Sequence, residues 1–104
     1  MPGRGKRAKA PAKAKAGKST SGLTGWNKVS GRDAIAKTFV FPDFNQAFSF
    51  MGRVAMEAER LGHHPEWRND YNRVEVTLTT HKVGRVTSRD IAFAKIIDQL
   101  AGLA

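Results

Sequence analysis

From Leu23 onward the apolar positions of the chain change period in an ordered way. Trp26–Val29 and Ile35–Phe41 are short apolar runs separated by a turn at Ser30–Gly31, which predicts two strands. In the second run Ile35, Lys37, Phe39 and Phe41 face one way, and Ala36, Thr38 and Val40 face the other. Pro42 ends that strand and Asp43 stands where a helix N-cap belongs. Phe44, Ala47, Phe48, Met51, Val54, Ala55, Ala58 and Leu61 then recur at three and four residues, which predicts a helix from Phe44 to Leu61 with one apolar stripe. Phe50 lies off the centre of that stripe, at the edge of the core or in a subunit contact.

Gly62 can take the left-handed conformation that closes a helix, and Pro65 cannot continue one. A short extended piece, Glu66–Asn69, turns through Asp70–Asn72 into Arg73–Thr80, the clearest strand of the chain. There Val74, Val76, Leu78 and Thr80 alternate with Arg73, Glu75, Thr77 and Thr79. After a loop containing Gly84, Thr87 and Asp90 stand at capping-box spacing, with Asp in place of Glu, and a second helix runs from Ser88 to about Leu100. The order β-β-α-β-β-α, with one stripe on each element, predicts an α+β fold: antiparallel strands in a sheet with the helices packed on one face.

Charge divides the chain differently. Met1 to Gly22 carries seven basic residues (Arg4, Lys6, Arg7, Lys9, Lys13, Lys15 and Lys18) and no acidic one. Residues 23–104 hold the other 11 Lys and Arg against all nine Asp and Glu, so they supply only +2 of the net +9. The 1–22 segment is largely Ala, Lys, Gly, Pro, Ser and Arg with no aromatic residue, too poor in apolar area to offset its ordering entropy, and is expected to be a disordered basic tail. Beyond plain solvation, such a tail fits weak, salt-sensitive contact with nucleic acid, a nuclear address, or a transit peptide weakened as a helix by Pro11. Residues 23–104 make one small domain, and a domain of about 80 residues buries a modest share of its surface, which favours assembly.

Cysteine is absent, which excludes disulfides, thiolate catalysis and Cys-based zinc sites. No apolar run approaches the ~20 residues of a membrane helix, and no secretory h-region opens the chain, so a cytoplasmic protein with no membrane partner is expected, nuclear as well if the tail is an address.

All three histidines fall at element ends: His63 and His64 past the first helix, His81 past the long strand. Binding and catalytic groups gather at chain ends held by a rigid scaffold. An unperturbed imidazole titrates near pH ~6.5, so each can give or take a proton at neutral pH. The plainer readings are a polar helix exit for His-His-Pro and a solvated strand end for His81. Three histidines can also hold zinc, although the usual mark, two His four apart on a helix, is missing.

Taken together, these residues resemble a known family. The run Glu59-Arg-Leu-Gly-His-His-Pro-Glu-Trp67, then Tyr71-Asn72, Thr79-Thr80-His81 and Ser88-Arg89-Asp90, is similar to the signature of the pterin-4a-carbinolamine dehydratases. Gly25-Trp26, Gly31-Arg32-Asp33-Ala34-Ile35 and Phe41-Pro42-Asp43-Phe44-Asn45-Gln46-Ala47-Phe48 are similar as well, and the resemblance covers residues 23–101.

It implies a four-stranded antiparallel sheet with helices on one face, assembled as a homodimer or homotetramer. It implies dehydration of 4a-hydroxytetrahydrobiopterin to quinonoid dihydrobiopterin, a step that recycles pterin for aromatic amino-acid hydroxylation and needs no cofactor and no metal. His63, His64 and His81 fall on the family's active-site histidines, the first and last as proton-transfer groups and His64 as a ring-orienting one. Gly62, Pro65, Thr79, Thr80 and Lys82 fall on substrate-contacting segments; Glu59 would orient a histidine, Trp67 would wall the pocket or belong to the core, and Asp90 is expected as a helix cap. Some animal members also bind a homeodomain transcription factor and stabilise its dimer, so a transcription-factor partner is the alternative role. Two features depart from the family: the basic tail stands in place of an N-terminal helix, and Gly62 in place of Asp or Asn.

Overall fold

The computed structural model describes residues 23–102; the predicted basic tail lies outside them. The elements are β1 (Asn27–Lys28), β2 (Ile35–Val40), α1 (Phe44–Leu61), β3 (Glu66–Asp70), β4 (Arg73–Leu78) and α2 (Ser88–Leu100). The strands form a single antiparallel sheet in the order β1-β2-β4-β3. β2 and β4 pair over their whole length, from Ile35 opposite Leu78 to Val40 opposite Arg73. β3 returns along β4 through a two-residue turn at Tyr71–Asn72, in which Tyr71 has φ 54°. Asn69 steadies the turn by donating to the carbonyls of Tyr71 and Arg73 at 3.1 and 2.9 Å.

The inward side chains of β2 and β4 (Ile35, Phe39, Val74, Val76 and Leu78) meet Val54 and Ala58 of α1 and Phe93 and Ile97 of α2 in a single core. This is the α+β arrangement that the periodicity predicts. Asp43 caps α1 by accepting from the Gln46 amide at 2.9 Å. Thr87 and Asp90 close a capping box on α2.

The strand boundaries and one helix face differ from expectation, β3 running one residue further than predicted, to Asp70. The first strand keeps only Asn27–Lys28, because Trp26 leaves the sheet for the core and donates its indole N–H to both oxygens of Asp98 at 3.2 and 3.3 Å. β2 stops at Val40 rather than Phe41, and β4 at Leu78, beyond which Thr80 keeps one isolated bridge to Arg85. On α1 the buried stripe is Ala47, Phe50, Val54 and Ala58, while Phe44, Phe48 and Ala55, expected inside, face solvent. Phe50 wins the core position because Phe39 of β2 and Phe41 just beyond it pack against it in tilted contacts, with centroids at 5.0 and 4.9 Å. Phe50 is therefore core, and Phe44 and Phe48 pair with each other at 5.8 Å on the outside.

Lys37 faces inward as predicted and satisfies its charge there, with Nζ 2.9 Å from Asp98 and 2.7 Å from the Thr24 carbonyl. Burial nonetheless pushes the Asp98 carboxyl above its ordinary range, outweighing the Lys37 and Trp26 bonds. Among the described residues no helix is long and apolar enough to cross a membrane.

Candidate active site

The end of α1, the start of β3, the end of β4 and the start of α2 meet at one end of the molecule, where Glu66 pairs opposite Thr77. Gly62, with φ 64° and ψ 33°, closes α1 in the left-handed region, and the next amide, His63 N–H, bonds back to Ala58 O at 3.1 Å. That turn directs His63 inward. Its side chain is buried and its Nε2 lies 2.6 Å from Asp90 Oδ1.

Asp90 is fully buried, and its other oxygen accepts from Thr80 Oγ1 at 2.7 Å and from the Thr87 amide at 2.9 Å. Thr80 and Thr87 also share a hydroxyl–hydroxyl bond of 2.7 Å. One carboxylate thus ties a histidine just past α1, a threonine just past β4 and the first turn of α2. Arg89 reinforces the junction by donating to the Leu61 and Gly62 carbonyls, each at 3.1 Å, which serves the otherwise unpaired C-terminus of α1.

His81 opens the tight loop that Thr80 closes onto Arg85, Val83 and Gly84. It is exposed, and its Nε2 lies 2.8 Å from Glu66 Oε2. Arg32 holds the same carboxylate through both oxygens, at 2.8 and 2.7 Å. Hydrogen bonding to Arg32, and then to His81, brings the Glu66 carboxyl down to about 2. The turn that delivers Arg32 is fastened to the end of β4, where Thr79 Oγ1 donates to Asp33 O at 2.9 Å. His64 points to solvent, with Nε2 3.1 Å from Glu59 Oε1.

The predicted site residues therefore separate into groups. His63 and Thr80 meet through Asp90, His81 is joined to Glu66, and His64 to Glu59. Thr79 and Thr80 spend their hydroxyls on the scaffold. Trp67 is half-buried against the core, in register with Val76, so it lines the inner sheet face beside the site. Gly62 and Lys82 are exposed, Pro65 is half-buried, and a Cβ added at Gly62 would meet open space.

Asp90 acts beyond the cap expected of it. Its capping-box spacing was visible in the sequence, and its bond to His63, 27 residues away, was not. Glu66 and Arg32 were missed for the same reason, being 34 residues apart. Each histidine has Nε2 on a carboxylate oxygen. Such a partner fixes ring orientation and tautomer and leaves the second nitrogen for chemistry. Among the described residues no cluster of His, Asp and Glu is placed to hold a metal ion.

The sequence model for pterin 4 alpha carbinolamine dehydratase matches residues 9–100. The chain belongs to that family. A pterin-4-alpha-carbinolamine dehydratase by name from Rhodopseudomonas palustris (strain HaA2) is 60% identical over 80 residues, spanning 77% of this chain and 79% of the relative. One of the same name from Bradyrhizobium diazoefficiens is 57% identical over 82 residues, or 79% of this chain and 82% of the relative. Among solved structures, a transcriptional coactivator/pterin dehydratase from Brucella melitensis superposes with a TM-score of 0.73 at 54% identity, covering 75% of this chain and 83% of the other. A pterin dehydratase-like protein identified as a RuBisCO assembly factor in the alpha-carboxysome superposes at 0.67 with 26% identity, over 76% and 92% of the two chains. As a member of the dehydratase family the chain is an enzyme that eliminates water, and the match to the family model begins at residue 9, ahead of Leu23, the first described residue.

Proposed function

We propose that this dehydratase converts 4a-hydroxytetrahydrobiopterin to quinonoid dihydrobiopterin and water by histidine acid–base catalysis. The carrying observation is the buried bond of His63 to Asp90, repeated in exposed form at His81 and Glu66. In the reaction the C4a–O bond breaks as the hydroxyl takes a proton and departs as water. The N5–H bond gives up its proton, and that electron pair forms the N5–C4a double bond. Oxidation state is unchanged, so the elimination calls for proton donors and acceptors only. His63 and His81 are the proton-transfer residues, one protonated to donate and one neutral to accept, and His64 orients the ring. Gly62, Pro65, Thr79, Thr80 and Lys82 border the substrate, largely through backbone groups, with Trp67 as a wall and Glu59 steadying His64.

The deciding experiment is the dehydration rate of freshly generated 4a-hydroxytetrahydropterin. His63→Ala and His81→Ala should each lose about 10²–10⁴-fold in turnover, the usual worth of one positioned acid or base. Asp90→Asn, which keeps shape and removes charge, should lose about 10–100-fold through His63. Wild-type protein that is folded yet no faster than buffer would defeat the proposal.

A second reading concerns partners. Phe44 and Phe48 stack on the exposed side of α1, with Phe48 61% exposed, in a chain whose relative from Brucella is named a coactivator as well as a dehydratase. We assign this face to a second copy of the chain, in a homodimer or homotetramer, with a transcription-factor helix as the competing occupant.

A further inference from the structure

We propose that Glu66, clamped by Arg32, is a positioning residue for His81 that commits the imidazole Nε2 to donation and leaves Nδ1 as the nitrogen exchanging protons with substrate. The inference rests on the reading of His81 as a proton-transfer residue.

Glu66 begins β3 on the outer face of the sheet, in register with Thr77 and Ala36. From there its carboxylate reaches two residues remote in sequence, Arg32 in the β1–β2 turn and His81 after β4. The Arg32 contact is a two-bond fork, each guanidinium nitrogen on a different oxygen, which fixes the carboxylate plane as a single bond would not. The turn carrying Arg32 is fixed in its own right: Val29 N–H bonds to Ala34 O at 2.9 Å, Ala34 N–H to Arg32 O at 3.1 Å, and Thr79 holds the Asp33 carbonyl. The exposed His81 ring thus gains a rigid partner without being buried.

The chemistry follows from what each group can offer. A carboxylate paired with a guanidinium and acidic to about 2 is a pure acceptor at any pH where the enzyme works. The nitrogen facing it at 2.8 Å therefore carries a hydrogen whether the ring is neutral or charged. In the neutral ring Nδ1 is then the lone-pair nitrogen, the only one able to accept a proton, and in the charged ring it is the one free to donate. A solvated histidine would divide its neutral form between two tautomers and its ring among many orientations. Glu66 removes both uncertainties, while Arg32 keeps Glu66 from swinging away.

The test combines a spectroscopic readout with kinetics. The ¹⁵N shifts of the His81 ring in wild-type protein, titrated to the neutral form, should show a protonated Nε2 and a bare Nδ1. Glu66→Gln should lower kcat by about 10–100-fold with KM changed by less than about threefold, since the residue acts on orientation and not on binding. Arg32→Ala should give a smaller loss of the same kind. In the His81→Ala background, Glu66→Gln should add no further loss, which a merely structural role would not produce. A neutral His81 protonated at Nδ1, or losses that multiply in the double variant, would overturn the proposal. If His81→Ala turns over at the wild-type rate, the reading of His81 itself falls, and the tautomer result then stands alone as a statement about Glu66.

Discussion

A carboxylate responds in opposite senses at Glu66 and at Asp98, and the pH response of the fold should separate them. Glu66 ordinarily titrates at 4.5 and is lowered to about 2 in the fold, by Arg32 first and His81 next. The folded state thus binds this proton more weakly than the unfolded chain. The stability Glu66 supplies is complete above 4.5 and is lost as pH falls from there through about 2. Its position is part-exposed, so salt and solvent weaken the contribution. Asp98 has the opposite sign: burial raises it above 3.8, so the stability linked to its proton is present below 3.8 and lost as pH rises through the raised value. Arg32→Ala removes the main cause of the Glu66 shift and leaves Asp98 untouched. Urea midpoints measured from pH 6 down to pH 2 should therefore fall less steeply below 4.5 in Arg32→Ala than in wild type, with the difference shrinking in high salt. Parallel curves would mean that the Arg32–Glu66 fork contributes nothing to acid stability.

At the scale of elements, the helix end at Gly62 shows how local chemistry places His63, the proposed proton-transfer group. A residue with φ 64° must follow Leu61 for His63 to turn into the core, and a side chain there would meet no atom within 4 Å. Any penalty for substitution is conformational, about 1–2 kcal/mol for Ala in the left-handed region and less for Asn, which tolerates it. Gly62→Asn should therefore melt close to wild type, while Gly62→Ala melts several degrees lower, at about 4–8 °C per kcal/mol for a domain of this size. Equal losses in both would point to a clash that the open space at Gly62 argues against. This stop was legible in the sequence, as were both helices, the pairing strands and the positions of the three histidines, because each rests on a local signal such as a cap, a proline or a period. What was not legible rests on contacts between distant residues. Alternation could not show that Trp26 would leave its strand for Asp98. Helical spacing fitted a stripe through Phe44 and Phe48 nearly as well as one through Phe50, and only Phe39 of β2 and Phe41 just past it decide between them. The carboxylate partners of His63 and His81 were hidden likewise, since Asp90 and Glu66 come from other elements.

The whole molecule presents one more pattern. Phe44, Phe48, Gly52 and Met56 follow one another at intervals of four along α1, and all are exposed, Met56 by 74%. A row at that spacing is a packing ridge, and ridges of this kind interlock between helices. The glycine makes a notch in it: space around Gly52 is open, so another helix can approach closely there while the aromatic residues pack to one side. A helix from an identical chain brings the same notch and the same ridge, which makes the face self-complementary about a two-fold axis. The surface is costly to leave in water, and a described domain of about 80 residues gains by covering it. Placing a charge at the ridge should break the proposed assembly and spare the fold, because Phe48 is exposed and stacks on Phe44. Phe48→Glu is thus expected to sediment as a smaller species than wild type, approaching the 11.4 kDa of one chain, with its far-ultraviolet circular dichroism unchanged. Turnover per chain should persist, since His63 and His64 follow Leu61 at the other end of α1 and His81 follows β4. A wild-type protein that already sediments as a monomer would free this face for a different helix and favour the coactivator-like reading. A variant that keeps the wild-type mass would move the subunit contact to the exposed edge of β3, the outer strand of the sheet.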